Sequence, residues 1–308
     1  MMNCLLCRSG NIHTIEVVRV RDIRRLYAES LKIDVGYLFP CKTLNFSHCK
    51  DCDLKYFDPP VTGDQRFYEA LQEHDWYYLE EKEEYHYASS FITESHSVLD
   101  IGCGKAAFAG IIKSANYTGL DFSLHAKEIA ASRGIRIANE TIQEHAEKKN
   151  RYDIVCAFQV LEHVADIEGF VRSATDCLQR GGLFILSVPS DESYLSVATN
   201  AVTNMPPHHV SRWTDTTLRH IGRLFGLTLV DLSHEALSSL HMMTYTQTVL
   251  AARIRRLLGM ERRIVDVSLT NMLVTRMAYV PSRLFSLYAS RDESRIGHTV
   301  TIVLRKQP

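Results

Sequence analysis

Two Cys-x-x-Cys pairs, a glycine turn led by an acid, and a His-His doublet after two prolines are the features here whose residue types and spacing can do chemistry. Cys4 and Cys7 form one pair, Cys49 and Cys52 the other. Four thiolates fill a tetrahedral zinc site at about 2.3 Å per bond and leave no open position, so such a metal stabilises rather than catalyses. Ile15, Val17, Val18 and Val20 read as one strand between the pairs, and Leu44 and Phe46 as part of another. That arrangement looks like a zinc ribbon, in which two hairpins would each present one knuckle. Cys41 or His48 could replace one of the four ligands, which spacing alone leaves open. Cys103, Cys156 and Cys177 fall in a glycine turn, an apolar strand and the inner face of a helix, and are expected to be core thiols.

The glycine turn reads Asp100-Ile101-Gly102-Cys103-Gly104-Lys105-Ala106-Ala107. Glycines there let the backbone pass close to a ligand at the carboxyl edge of a sheet. Gly102-x-Gly104-x-x-Ala107 also satisfies a dinucleotide pattern, with Asp121 further on, so an NAD-dependent oxidoreductase is one reading of the turn alone.

The elements that must position these groups alternate. Apolar runs over 98–101, 117–121, 135–138, 152–158 and 183–188 predict strands, and amphipathic stretches over 106–113, 124–133, 141–148 and 167–179 predict helices. Strands buried on both faces and separated by helices imply a doubly wound α/β sheet. Gly181-Gly182 is expected to cap the fourth helix. Thr214 is the expected N-cap of a fifth helix that closes at Gly226, followed by a strand over 227–232. A last strand over 298–304 comes only after a long, mainly helical insertion. The chain thus divides into a zinc-ribbon-like module (1–60), a linking helical segment (61–95), a sheet domain (96–233 plus 298–308) and an insertion or cap (234–297).

The 308 residues carry 35 basic and 36 acidic side chains, a net charge of −1, which gives no general argument for nucleic acid. No signal-peptide pattern and no 18-residue apolar run appears, so a cytoplasmic location with reduced cysteines is expected. Residues 251–296 hold nine arginines against four acids. That stretch suits an oligomer face, an anionic substrate or a membrane surface. Residues 67–87 are acidic and aromatic, with Trp76, Tyr77, Tyr78, Tyr85 and Tyr87.

Taken together these motifs resemble a class I S-adenosylmethionine-dependent methyltransferase with an N-terminal zinc-binding module. Asp100-x-Gly102-x-Gly104 is similar to the family's first motif, and Tyr152-Asp153-Ile154-Val155 followed by Val160-Leu161-Glu162-His163-Val164 to its fourth-strand motif. Gly181-Gly182-Leu183-Phe184-Ile185 resembles its glycine-led fifth strand, and the stretch from Gly297 to Lys306 its antiparallel last strand. The family often has a third glycine where Ala106 stands; a methyl is a small change, so binding is expected to survive.

The resemblance implies a Rossmann-like sheet and a cofactor, S-adenosyl-L-methionine, beside the structural zinc. Gly102 and Gly104 would approach its amino-acid part with Asp100, Asp121 would accept from both ribose hydroxyls, Glu140 and Thr141 would meet adenine, and Phe158 and Gln159 would flank the reactive methionine. Tyr78 would face the cofactor from a covering helix. Removal of a proton from the nucleophile suits histidine at neutral pH. The candidates are His208 and His209, with Trp213 as a wall, and His163. Some ubiquinone-pathway O-methyltransferases resemble this stretch and carry Glu-x-x-Glu-His with a divalent cation; with Gln159 in place of the first acid, no catalytic metal is expected. The implied acceptor is a small molecule such as a sugar or nucleotide-linked sugar, anionic in the latter case. An RNA- or protein-modifying enzyme is the alternative. Against it, residues 1–60 hold nine basic and seven acidic residues, too even a balance for gripping phosphates. The insertion is a possible route to a homo-oligomer.

Overall fold

The computed structural model describes residues 3–74, 82–286 and 292–308; Trp76, Tyr77 and Tyr78 lie outside the described residues. The first strand, β1 (Ile12–Arg19), runs directly into a helix, α1 (Val20–Ser30), and is paired antiparallel with β2 (Thr43–Cys49), which turns back into β3 (Lys55–Asp58). Only the second cysteine pair therefore sits on a hairpin; the first lies in a turn ahead of β1, a correction to the two-hairpin expectation. Helix α1 is amphipathic, burying Ile23, Leu26 and Tyr27 in a small core with Leu44, Phe46 and Phe57 that Phe67, Met205 and Ile264 complete from later in the chain.

The linking segment forms α2 (Gln65–Gln72), capped by the Asp64 carboxylate on Phe67 N–H, and α3 (Glu83–Ser89). The large sheet then opens with β4 (Val98–Ile101) and β5 (Tyr117–Leu120), followed by α4 (Leu124–Ser132), β6 (Ile137–Ala138), α5 (Ile142–Glu147) and β7 (Tyr152–Phe158). After α6 (Ile167–Asp176) come β8 (Leu178–Pro189), the short β9 (Ser211–Arg212), α7 (Asp215–Phe225) and β10 (Leu227–Leu237). The insertion supplies α8 (Met242–Leu257) and α9 (Leu269–Ser286), and β11 (Asp292–Lys306) closes the fold.

The strand order is β10-β11-β8-β7-β4-β5-β6, with β11 antiparallel to both of its neighbours and the other pairings of β4 to β8 parallel. The expected doubly wound sheet with an antiparallel last strand is present. Its order reverses at β4, which pairs β5 on one side and β7 on the other, so a ligand crevice opens at the carboxyl ends of these strands. Helix α7 forms as its sequence dictates: Thr214 caps Thr217 N–H, Leu218 and Ile221 face the core, and Gly226 ends it at φ 66°.

Two expected elements differ. No α-helix follows the glycine turn over 106–113; a single 3-10 turn, Phe108–Gly110, stands there. Gly102, Gly104 and Ala106 all have positive φ (70°, 51° and 56°), and the β-branched pair Ile111-Ile112 after Gly110 leaves too short a stretch to nucleate a helix. The Gly181-Gly182 pair does not cap α6, which ends at Asp176; it lies within β8, where a Cβ on Gly182 would stand 2.8 Å from the Asp153 carbonyl. Gly182 serves close strand approach, and Gly181, at φ 79°, a left-handed turn of the backbone; neither ends the helix.

The small sheet is completed from the far side of the chain, since β9 pairs with β3. Asp53 accepts a hydrogen bond from the Thr214 hydroxyl at 2.6 Å, and Cys4, Leu6, Leu54 and Tyr56 share one apolar cluster with Leu99, Val188 and Trp213 of the large domain. Trp213 is fully buried with its indole N–H on Ser211 Oγ, so it is core and not a pocket wall.

Candidate functional site

The turn after β4 is built by the strand beside it. Gly102 and Cys103 N–H both donate to the Leu120 carbonyl, and a Cβ on Gly102 would fall 2.5 Å from Val160. Asp121, at the tip of β5, accepts from Gly104 N–H at 2.8 Å through one oxygen and from Ser123 N–H at 2.8 Å through the other. One carboxylate thus sets the mouth of the turn. Burial raises its pKa while these backbone donors oppose the rise. Next to it Phe122 is 60% exposed, an apolar face for a flat ligand that the motif pattern did not flag.

Asp100 is buried beneath the turn and accepts from the Tyr117 hydroxyl at 2.6 Å. Burial pushes its carboxyl up to about 7, against the hydrogen bonds from Tyr117 and Cys156. Ala106, where the family often has glycine, is buried and left-handed, so its methyl is tolerated at some strain.

Glu140 and Thr141 lie after β6 but are engaged locally. Glu140 pairs with His145 at 2.6 Å and with Lys148; burial would raise its pKa, and these two partners hold it below the ordinary value. Thr141 caps α5 in a capping box with Glu144. Phe158 packs edge-on against Tyr85 of α3 and against Phe108, so α3 covers the end of β7. Gln159 stands at φ 57° with its amide nitrogen 3.4 Å from Glu84 Oε1 and 3.5 Å from Thr299 Oγ1.

The three candidate histidines meet. Ligating atoms of His163, His208 and His209 all lie within 4.8 Å of one another. His163 Nδ1 donates to the His208 carbonyl and His208 Nδ1 to the Thr203 carbonyl, while His209 Nδ1 faces Asn204 Oδ1 at 3.3 Å. Nε2 of His163 and of His209 each stands 3.9 Å from Glu162 Oε1, and both Glu162 oxygens are buried without a hydrogen-bond partner among the described residues. Burial pushes the Glu162 carboxyl up to about 8, and pulls His163 down to about 4 and His208 to about 3. Imidazoles anchored at Nδ1 beside an orphaned carboxylate could hold a divalent ion. As bases for a reaction near neutral pH they are poorly tuned.

A second histidine group was not legible in the motifs. Glu235 in β10 accepts from the backbone N–H of His298 and Thr299 at 2.9 and 3.1 Å, and its Oε1 lies 2.7 Å from His298 Nδ1, an ion pair when the ring is protonated. His241 packs edge-on to His298 with ring centroids 4.3 Å apart. Thr299 pairs with Pro189 at the carboxyl end of β8 and its hydroxyl neighbours Gln159, so this dyad stands at the same sheet edge as the turn. Only the pairing of β10 with β11 brings Glu235 and His298 together, and no sequence spacing signals it.

The four cysteines of the two pairs also converge. Cys4 and Cys52 Sγ lie 3.5 Å apart, as do Cys7 and Cys49 Sγ, and all four atoms fall within 4.8 Å. Tetrahedral bonds of about 2.3 Å place sulfurs roughly 3.8 Å apart, so the set fits zinc. His48 instead pairs with Asp53 at 2.7 Å, and Cys41 packs against the α1 core; neither is in the cluster.

Residues 71–232 match the family model described as "Methyltransferase domain". The chain belongs to this family. The chain is 31% identical over 155 residues to the ubiquinone biosynthesis O-methyltransferase of Citrobacter koseri, covering 42% of this chain and 64% of that protein. It is 36% identical over 99 residues to the enzyme of the same name from Methylobacterium nodulans, covering 30% of this chain and 40% of that one. The chain therefore spans less than two thirds of these relatives. A SAM-dependent methyltransferase from Archaeoglobus fulgidus shares the fold, with TM-score 0.50 and 15% identity over 79% of this chain and 100% of that chain. The zinc-ribbon-like module lies outside the matched residues.

Proposed function

We propose that this methyltransferase domain moves the methyl group of S-adenosyl-L-methionine to a small-molecule acceptor by in-line displacement. The observation that carries the reading is the glycine turn at the sheet's switch point, drawn against Asp121, in a chain whose family is that of methyltransferases. Asp121 exchanges its backbone donors for vicinal ribose hydroxyls, and Asp100, buried beneath the turn, supplies the anion for the positively charged methionine end. The turn glycines, Phe158 and Gln159 line the methionine side, and Glu140 and Thr141 bound the adenine side. The ubiquinone-pathway names of the relatives favour a small acceptor. A sugar or nucleotide-linked sugar is the finer assignment, supported by a cavity of about 200 Å³ lined by Lys55, Arg212 and Arg262 together with Glu16 and Asp191.

Cys4, Cys7, Cys49 and Cys52 hold the proposed structural zinc, and the eight free thiols accord with a cytoplasmic setting. Histidine assists proton removal. His163, His208 and His209 shape the acceptor side, and His298, held by Glu235 and partly exposed, is better placed to take the proton.

Calorimetric titration tests the cofactor. Saturable S-adenosylmethionine binding is expected, weakened at least tenfold by Asp121→Ala, with no NAD binding; tight NAD binding without response to S-adenosylmethionine would sink the reading. Replacing His298 with alanine should lower kcat at least tenfold with little change in cofactor affinity. An unchanged rate would return the base to the 208–209 doublet.

A further inference from the structure

Helix α9 has two apolar faces. One packs on α8, where Val274 and Ala278 meet Ala251. On the opposite side Leu269, Leu273, Met277, Val280 and Leu284 are 59–77% exposed, spaced four, four, three and four residues apart. That spacing draws one stripe along 18 residues. Leu257, at the end of α8, is 86% exposed. Soluble monomers rarely leave so much contiguous apolar surface uncovered.

Arginines rim the stripe. Arg276 and Arg283 are exposed on α9, and Arg253 and Arg256 on α8; neither helix contains an acidic residue. That asymmetry selects the occupant. A second copy of this face would bring arginines to arginines with no carboxylate between them. An anionic bilayer offers both an apolar interior and phosphate charge. No described helix is long and apolar enough to cross a membrane, so such contact lies in the interface plane.

We propose that the α8–α9 hairpin docks the protein on anionic lipid surfaces, with the α9 stripe entering the headgroup boundary and the arginines meeting phosphates. The insertion bearing it begins just past Glu235 and ends just before His298, so docking sets the sheet's catalytic edge near the bilayer.

Co-sedimentation with vesicles tests this on the full chain. Binding to phosphatidylcholine vesicles containing phosphatidylglycerol is expected, falling at least tenfold without phosphatidylglycerol and in 0.5 M salt. Leu273→Glu with Met277→Glu should abolish it, and Arg276→Glu with Arg283→Glu should weaken it, while both variants keep the wild-type circular dichroism. Wild-type protein that ignores the anionic vesicles overturns the proposal. So does a stable dimer, seen by sedimentation, that the Leu273→Glu, Met277→Glu pair converts to monomer.

Discussion

Cys49→Ser is expected to abolish binding of the proposed zinc and lower the stability of the N-terminal module by about 5 kcal/mol. Isolated zinc fingers owe roughly 10–16 kcal/mol of folding free energy to their metal. The smaller figure here reflects the apolar core around Tyr27, Phe46 and Phe57, which Phe67, Met205 and Ile264 share and which holds without metal. Cys49 sits fully buried at the end of β2, with its sulfur 3.5 Å from Cys7. Loss of one thiolate leaves Cys4, Cys7 and Cys52 unable to complete a four-ligand site; burial pushes the Cys7 thiol up to about 12, while the hydrogen bond with Cys52 holds Cys4 down to about 5. Elemental analysis and urea denaturation measure the two effects. Stoichiometric zinc retained by the variant would refute the ligand set, and zinc loss without destabilisation would refute the structural role.

Asp100→Asn should do two opposite things: stabilise the free protein above neutral pH and weaken S-adenosylmethionine binding. The native carboxyl is raised to about 7, whereas an unfolded aspartate titrates near 3.9. Below pH ~4 both states are protonated and the group contributes nothing. Between there and pH 7 the unfolded chain ionises first, so native stability falls as pH rises. Above pH 7 the cost is constant, on the order of 4 kcal/mol at 1.36 kcal/mol per unit. Asparagine keeps an acceptor for the Tyr117 hydroxyl and removes the ionisation. The variant should therefore lose this slope and exceed wild type most at pH 8. Denaturation at pH 4, 6 and 8 reads this directly; parallel curves would contradict it. A bound sulfonium and ammonium favour the carboxylate, so wild-type binding at pH 6 should release a proton that the variant does not. Titration in buffers of differing ionisation enthalpy detects that proton.

Much of this was visible in residue order. Apolar runs such as Val98–Ile101 and Tyr152–Phe158 are buried on nearly every position, and a strand covered on both faces leaves that trace. Thr214 and Gly226 marked α7 because caps are local chemistry. The cysteine pairs were legible for the same reason. The absent helix after the glycine turn was not, because three alternate left-handed positions, Gly102, Gly104 and Ala106, hold the chain out of helical geometry where the apolar pattern of 106–113 begins. Helix α1 was missed because its β-branched start continues the strand before it. The Glu235–His298 pair is the deepest omission: two residues 63 positions apart meet only through sheet register.

Ser211 and Arg212 form a strand only two residues long, yet they finish the sheet that the first 58 residues begin. Such interleaving bears on descent. A domain joined by a flexible tether can be gained, lost or traded between lineages as a cassette. A module whose last strand is encoded beyond β8 of its neighbour cannot be shuffled without tearing both. The cysteine-cluster end and the methyltransferase-domain end of this chain are therefore expected to change together, each substitution in one filtered by its fit to the other.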